Sequence, residues 1–438
     1  MIEWLSMVSP VPPVHPSDPV QKPSHVRYWV IFFAITLAII TYFDRVALSK
    51  AAPTIRKDLN IDESHMGYIF SAFALAYALM EIPGGYLGDR LGPRRVLMRI
   101  VIWWSFFTAA MGMAFNFSSL YITNLLFGAG EAGCFPNITK AFAVWLPREE
   151  RVRAQGFIWL AARWGGAFTP LIVYQLMQNF TWRWVFASFG VLGVIWAIAF
   201  YKWFRDNPKD NPNVNAAELE LLKSNIIVGH PKVPFRKLFR SRQVVLLCLQ
   251  YFMLSFGWYF YITWLPTFVQ EKEHDAYIAT LLTMLPLFMG GLGSFVSGMV
   301  AARAARALGS ITLGRRTMAM TGFFGAGFLL LVATRMHSPL AIMMAIGFSS
   351  FCNDLVMPNA WGACMDVGGR FAGTLSGTMN MMGNLAGFVY PIVAGEIVKA
   401  SGHNWNLVLY LSAAVYFMGI VVWMMLDPVT PLEIKEVP

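Results

Sequence analysis

The chain has 438 residues, of which 57% are hydrophobic and only 13% charged, against the roughly 45–50% apolar and 25% charged of a soluble domain. That balance excludes an ordinary soluble globular protein. The net charge of +10 does not mark a nucleic-acid binder either, because the Lys and Arg residues sit in short loops between apolar runs and form no basic patch among exposed aromatics.

Continuous apolar stretches of about 20 residues, enough for a helix to cross a hydrocarbon core roughly 30 Å thick, follow one another along the chain. They show none of the period-two alternation of a β-barrel. In chain order the pattern predicts a tail over 1–27 and spans over 28–49, 65–86, 96–115, 119–145, 154–178 and 183–203. A polar linker with four prolines covers 204–243, too short for a globular domain. Further spans follow over 244–270, 278–302, 317–335, 339–364, 371–398 and 404–426, then a tail over 427–438. The expected fold is an all-α membrane protein of twelve transmembrane helices in two six-helix halves, 28–203 and 244–426. Lys and Arg crowd alternate loops and the linker, which places both termini in the cytoplasm. The proline-rich start lacks the basic and apolar regions of a signal peptide and reads as a cytoplasmic tail. The four cysteines fall inside apolar runs in no metal-ligand spacing and read as small core residues.

The halves carry matching marks. GEAGCFPN (130–137) lines up with FCNDLVMPN (351–359), and ARWGGAFTP (162–170) with GNLAGFVYP (383–391). Two matching halves suggest a parallel repeat with a central site between them.

After the second span comes GGYLGDRLGPRR, from Gly84 to Arg95, which resembles the cytoplasmic loop signature of the major facilitator superfamily. There Asp89 is placed to attract the N-terminus of a nearby helix, while Arg90, Arg94 and Arg95 anchor the loop. The resemblance implies that these four residues serve gating. The counterpart at 298–316 keeps the basic residues and lacks the Asp. Three further stretches, TYFDRVALSKAAP (41–53), LLFGAGEAGCFPN (125–137) and AGTLSGTMNMMGNLAGFVYPIVAG (372–395), resemble the anion:cation symporter branch of that superfamily. Its members carry hexuronates, aldonates and other organic anions. In many of them an Arg stands seven residues before the fourth-span Glu, and here that position is Asn124. The role of that Arg does not carry over, and Asn124 stays on the substrate side only as a polar candidate.

A charged side chain at mid-bilayer costs about 2.5–3.5 kcal/mol on insertion scales, so each one needs a partner or a task. Glu131 falls near the middle of its span, and the resemblance implies a proton-coupling role; a structural, ion-paired Glu is the competing reading. Asp44 and Arg45 are adjacent and point about 100° apart on a helix. Arg45 offers a fork for a carboxylate and Asp44 is a second proton carrier, or the pair ties helices at the gate. Arg163 lies at a depth from which it can reach Glu131. It then replaces the cation missing at Asn124, either on the substrate or on Glu131, or is simply a structural partner of Glu131. Asp354 is a possible extra buried acid, a partner for Arg163 across the halves, or a structural acid capped by backbone and Asn353. Glu81 and Asp366 read as inner-gate residues, and Lys140 and Arg99 as snorkelling cations. Tyr42, Tyr77, Gln250, Tyr251, Tyr259, Tyr261, Asn380, Asn384 and Tyr390 would supply polar groups for a polyhydroxylated acid.

The expected function is import of a small organic anion together with protons by alternating access, with no cofactor and no metal, in a monomer embedded in a prokaryotic inner membrane. The alternative is an organic-anion or organophosphate exchanger or facilitator without proton coupling. An enzyme is disfavoured because no phosphate loop, nucleophile elbow or zinc motif is present.

Overall fold

A computed structural model describes residues 22–225, 233, 235–273 and 275–432. Most of the 1–27 tail, part of the linker and the last six residues lie outside that range. The first half holds α1 (Arg27–Leu59), α2 (Glu63–Leu91), α3 (Pro93–Met111), α4 (Phe117–Glu131), α5 (Cys134–Trp145), α6 (Arg148–Asn179) and α7 (Trp182–Trp203). The linker forms α8 (Ala216–Leu222) and α9 (Phe235–Arg240). The second half holds α10 (Arg242–Thr263), α11 (Leu265–Gln270), α12 (Ala276–Ala307), α13 (Ile311–Ala333), α14 (Pro339–Gly368), α15 (Ala372–Ala400) and α16 (Trp405–Met425).

Among the described residues nine segments are long and apolar enough to cross a membrane, one of them the run Pro339–Ala400 that contains both α14 and α15. Helices start where the sequence supplies caps. The Asp62 side chain accepts the backbone N–H of His65 at 2.7 Å, and Asn116 and Ser119 form a capping box before α4.

Two expected continuous spans are broken. The fourth stops at Glu131 and resumes at Cys134, with Gly133 at φ +82° between them. Only glycine adopts that backbone without strain, and it also admits α2: a Cβ on Gly133 would lie 2.6 Å from the Cα of Gly84. The seventh breaks at Trp264, where Pro266 cannot donate into the preceding turn. The linker is less loose than its composition predicts. Glu218 of α8 accepts from the backbone N–H of Val26 and Arg27, the Ser24 hydroxyl and the Arg27 guanidinium, while Arg27 also pairs with Glu150 at 2.9 Å.

Within the halves α1 packs on α6, α3 on α7, α12 on α14 and α10 on α15; between them α2 packs on α15 and α6 on α12. The α2–α15 crossing is close enough that a Cβ on Gly85 would meet the Gly373 carbonyl oxygen at 2.2 Å. Small residues permit such approaches in helical bundles.

Candidate functional site

A cavity of about 70 Å³ lies between the halves, lined by Tyr42 and Arg45 of α1, Tyr77 of α2, Phe135 of α5, Trp159 and Arg163 of α6, and Tyr251, Ser255, Trp258 and Tyr259 of α10. Met357 of α14 and Asn380, Gly383 and Asn384 of α15 complete it. Helix periodicity explains the assembly: Trp159 and Arg163 are one turn apart, as are Tyr251, Ser255 and Tyr259, so each set shares a face.

Arg45 is held over this cavity by its neighbours. Its Nε donates to Glu131 Oε1 at 2.5 Å, and its guanidinium carbon lies 4.5 Å from the Tyr77 ring centre, with Phe73 at 5.4 Å and Tyr42 at 5.6 Å. The Glu131 side chain is fully buried, whereas that of Arg45 keeps 23% exposure. The cation therefore faces the cavity and the acid stands behind it. Oε2 of Glu131 and both carboxylate oxygens of Asp44 are buried without a hydrogen-bond partner. Asp44 is not among the residues that line the cavity; it lies near Trp104 and Glu131.

Arg163 is not the partner of Glu131. Its Nε and Nη2 donate to Oδ2 and Oδ1 of Asp354 at 3.1 and 3.0 Å, so of the readings open for Asp354 the cross-half partner is the one the geometry shows. The Trp258 ring centre lies 4.1 Å from the Arg163 guanidinium. Asn124 is removed from the site: it is 2% exposed, and its amide donates to the Ile69 carbonyl at 2.7 Å, tying α4 to α2. Gln250 is likewise packed away, donating to the Leu247 carbonyl and accepting from Trp423. Tyr261 and Tyr390 are buried against Ser349 and Ser412. Tyr251 and Tyr259 do reach the cavity, donating to Asn380 and Asn384 at 3.3 and 3.2 Å.

Glu81 corrects a further expectation. Asn380 donates to its carboxylate, which places this acid directly beneath the cavity rather than at the inner gate. α2 continues to Leu91, so Glu81 lies ten residues, roughly 15 Å, from the helix end. Trp159 and Trp258 were not expected at the site; the one-turn spacing of Trp159 to Arg163 is the signal that would have marked the first.

At the end of the bundle that carries Asp89, the halves are latched. Asp89 accepts the backbone N–H of Gly373 at 3.1 Å, and the N–H and hydroxyl of Thr374 at 2.6 and 2.7 Å, while pairing with Lys140 at 3.0 Å. Lys140 also donates to the Arg370 carbonyl and is 6% exposed, so it is a partner in the latch and does not snorkel. Arg94 donates to the Tyr201 carbonyl at 3.0 and 2.7 Å, whereas Arg90 and Arg95 are exposed. Nearby Asp366 is paired with Arg151 and, at 2.8 Å, with Arg315. Each of these ties between the halves lies at the level of the cavity or toward the Asp89 end. Among the described residues no group of three His, Cys, Asp or Glu is placed to hold a metal ion.

The sequence model of the Major Facilitator Superfamily matches residues 34–391. A probable sulfoacetate transporter of Cupriavidus necator is 30% identical over 93% of this chain and 95% of its own length. The hexuronate transporter of Bacillus subtilis is 28% identical over 91% and 94%. In fold, the chain is similar to a proton:xylose symporter of the same superfamily (TM-score 0.73, 13% identity, 92% and 97% covered) and to a human organic anion transporter (TM-score 0.70, 15% identity, 92% and 100% covered).

Proposed function

The chain belongs to the Major Facilitator Superfamily, and from that premise we propose that it carries a small organic anion inward together with protons by alternating access. Its relatives include proteins named as transporters of sulfoacetate, hexuronate, galactonate and galactarate or glucarate, all organic anions. The observation that carries the reading is the Arg45–Glu131 pair, in which a guanidinium faces the cavity and a buried acid stands behind it. A substrate carboxylate competes with Glu131 for Arg45. When Glu131 takes a proton, Arg45 is released to the anion; when Glu131 loses it, the acid reclaims the fork. Anion and proton then favour each other's binding, as linkage requires. Proton plus carboxylate also leaves the local charge unchanged, so the loaded site avoids carrying an uncompensated ion through the membrane.

Asp44 serves as a second proton carrier, because a buried carboxylate without hydrogen-bond partners is too costly to hold a fixed charge. Rocking of the halves about the cavity, with the Asp89 latch closing one end, completes the cycle. The topology in this reading is twelve crossings, counting α4 with α5 and α10 with α11 as one each, with bundles over 28–203 and 244–426, cytoplasmic termini and linker, and a monomer in a prokaryotic inner membrane.

The test is uptake of a panel of sugar acids and short carboxylates into proteoliposomes, with and without an inward proton gradient, for wild type and Glu131→Gln. Gradient-driven accumulation by wild type, lost in the variant while counterflow persists, is expected. Gradient-independent exchange that the substitution leaves alone would overturn the mechanism in favour of an exchanger or facilitator.

A further inference from the structure

A second guanidinium–carboxylate pair meets the same cavity. Arg163 and Asp354 are both nearly inaccessible, with side chains 1% and 0% exposed. Only Arg163 lines the cavity. Asp354 is packed behind it, so close under α12 that a Cβ on Gly290 would lie 2.2 Å from Oδ2. The arrangement repeats that of Arg45 and Glu131, with a cation toward the cavity and an acid at its back. A buried ion pair adds little stability over apolar residues of the same volume, so stability alone does not account for this one. Tyr42 lines the cavity with both cations, its ring centre 5.6 Å from the Arg45 guanidinium.

This inference rests on the anion-symport reading above. We propose that Arg163 and Asp354 form a second anion slot, so that the preferred substrate is a short acid with two anionic groups, one on Arg45 and the other on Arg163. Asp354, displaced from Arg163 by the second group, takes up a proton from the side on which the cavity opens and returns it on the other. Over the two slots the charges balance: each anionic group brings one proton as the acid that gives up its arginine becomes neutral, and the proton on Asp44 adds equally for a monoanion and a dianion.

The cavity volume of about 70 Å³ is small beside the roughly 300–1,000 Å³ of pockets for drug-sized ligands, which favours a short acid over a six-carbon sugar acid. The bidentate geometry at Arg163 suits a carboxylate or sulfonate. Asp354 belongs to the second half and Arg163 to the first, so the same displacement also removes a tie between the halves. The titratable and charged groups facing Asp354 are Arg163 on α6, Tyr261 on α10 and Tyr416 on α16, with Cys352 on its own helix near Tyr261. Gly290 and Ser294 approach Asp354 from α12, and Gly322 and Gly325 of α13 pack against the neighbouring Cys352, all uncharged.

The experiment measures proton-to-substrate ratio and kcat/KM in proteoliposomes at pH 7.5 for dianions (malonate, succinate, sulfoacetate) and monoanions (lactate, gluconate, glucuronate). Wild type is compared with Asp354→Asn and with the double variant Arg163→Gln/Asp354→Asn, which leaves no unpaired buried charge. In wild type the ratio for a dianion is expected to exceed that for a monoanion by one proton. In Asp354→Asn the dianion ratio falls by one, and each dianion then moves one extra negative charge, read as a changed response to an imposed membrane potential. In the double variant the ratio of dianion to monoanion kcat/KM falls at least tenfold. Equal proton ratios for the two classes in wild type, or equal losses for both classes in the double variant, would reduce the pair to a structural tie and overturn the proposal. Accumulation of monoanions with no preference for dianions sinks this inference alone, whereas no gradient-driven accumulation of any acid sinks the symport reading and this inference with it.

Discussion

Asp89→Asn tests whether the latch holds one end of the molecule shut. Asp89 is 4% exposed and its two oxygens serve three donors in the first turn of α15, besides the Lys140 ammonium. Hydrogen bonds to a charged group contribute about 1.5–3 kcal/mol against about 0.5–1.5 for neutral pairs, so losing the charge weakens the three by about 1 kcal/mol each. Asn also turns one acceptor into a donor facing donors. The sum, about 3 kcal/mol, is roughly a hundredfold in the equilibrium between closed and open. The assay is a spin-label distance measurement between Lys202→Cys on α7 and Arg306→Cys on α12, two exposed sites at that end of opposite halves, with the native cysteines replaced. Wild type is expected to give one short distance, and Asp89→Asn to add a longer one that dominates. A distribution unchanged by the substitution would refute the reasoning, because the latch would then carry no share of the closed state.

Two other outcomes follow from the geometry. Asn124→Ala removes the tie from α4 to the Ile69 carbonyl without touching the cavity, so it should cost about 1–2 kcal/mol and lower Tm while substrate KM stays put; a raised KM with unaltered Tm would return Asn124 to the site. At Glu218, outside the membrane spans, burial pushes the carboxyl up, but hydrogen bonds from Ser24, Arg27 and the backbone N–H groups of Arg27 and Val26 outweigh it and hold it below its ordinary 4.5. The clasp between linker and α1 is therefore fully present above about pH 4.5 and is lost as pH falls through the depressed folded value. Hydrogen exchange at residues 22–28 should accelerate over that acid range in wild type, and Glu218→Gln should remove the acid dependence.

Much of the architecture is legible in the sequence, because a bilayer leaves a chain few options. A long apolar run must satisfy its own backbone, and only a helix does so within one segment. Boundaries were less legible: α6 begins at Arg148 and α12 reaches Ala307, since helices continue past the apolar core where their ends find partners. The break at Ala132 and Gly133 is not legible in the sequence because the reason for it is the passing backbone of Gly84, a neighbour 49 positions away. Glu81 was misplaced for a related reason. Hydropathy locates the end of an apolar stretch, whereas α2 runs on to Leu91 and leaves Glu81 deep in the bundle.

The sequence by itself determined the helical membrane class, the superfamily and the short roster of intramembrane charges, because the cost of burying an ion makes each one conspicuous. It did not determine how those charges pair. Arg45 and Glu131 are 86 residues apart and Arg163 and Asp354 are 191 apart, and a side chain's depth along a helix says nothing of which neighbour its face meets. Depth alone placed Arg163 beside Glu131; the rotation of α6 and its packing on α12 and α14 turned it to Asp354. Pairing is decided by helix rotation and packing, which the tertiary fold alone supplies.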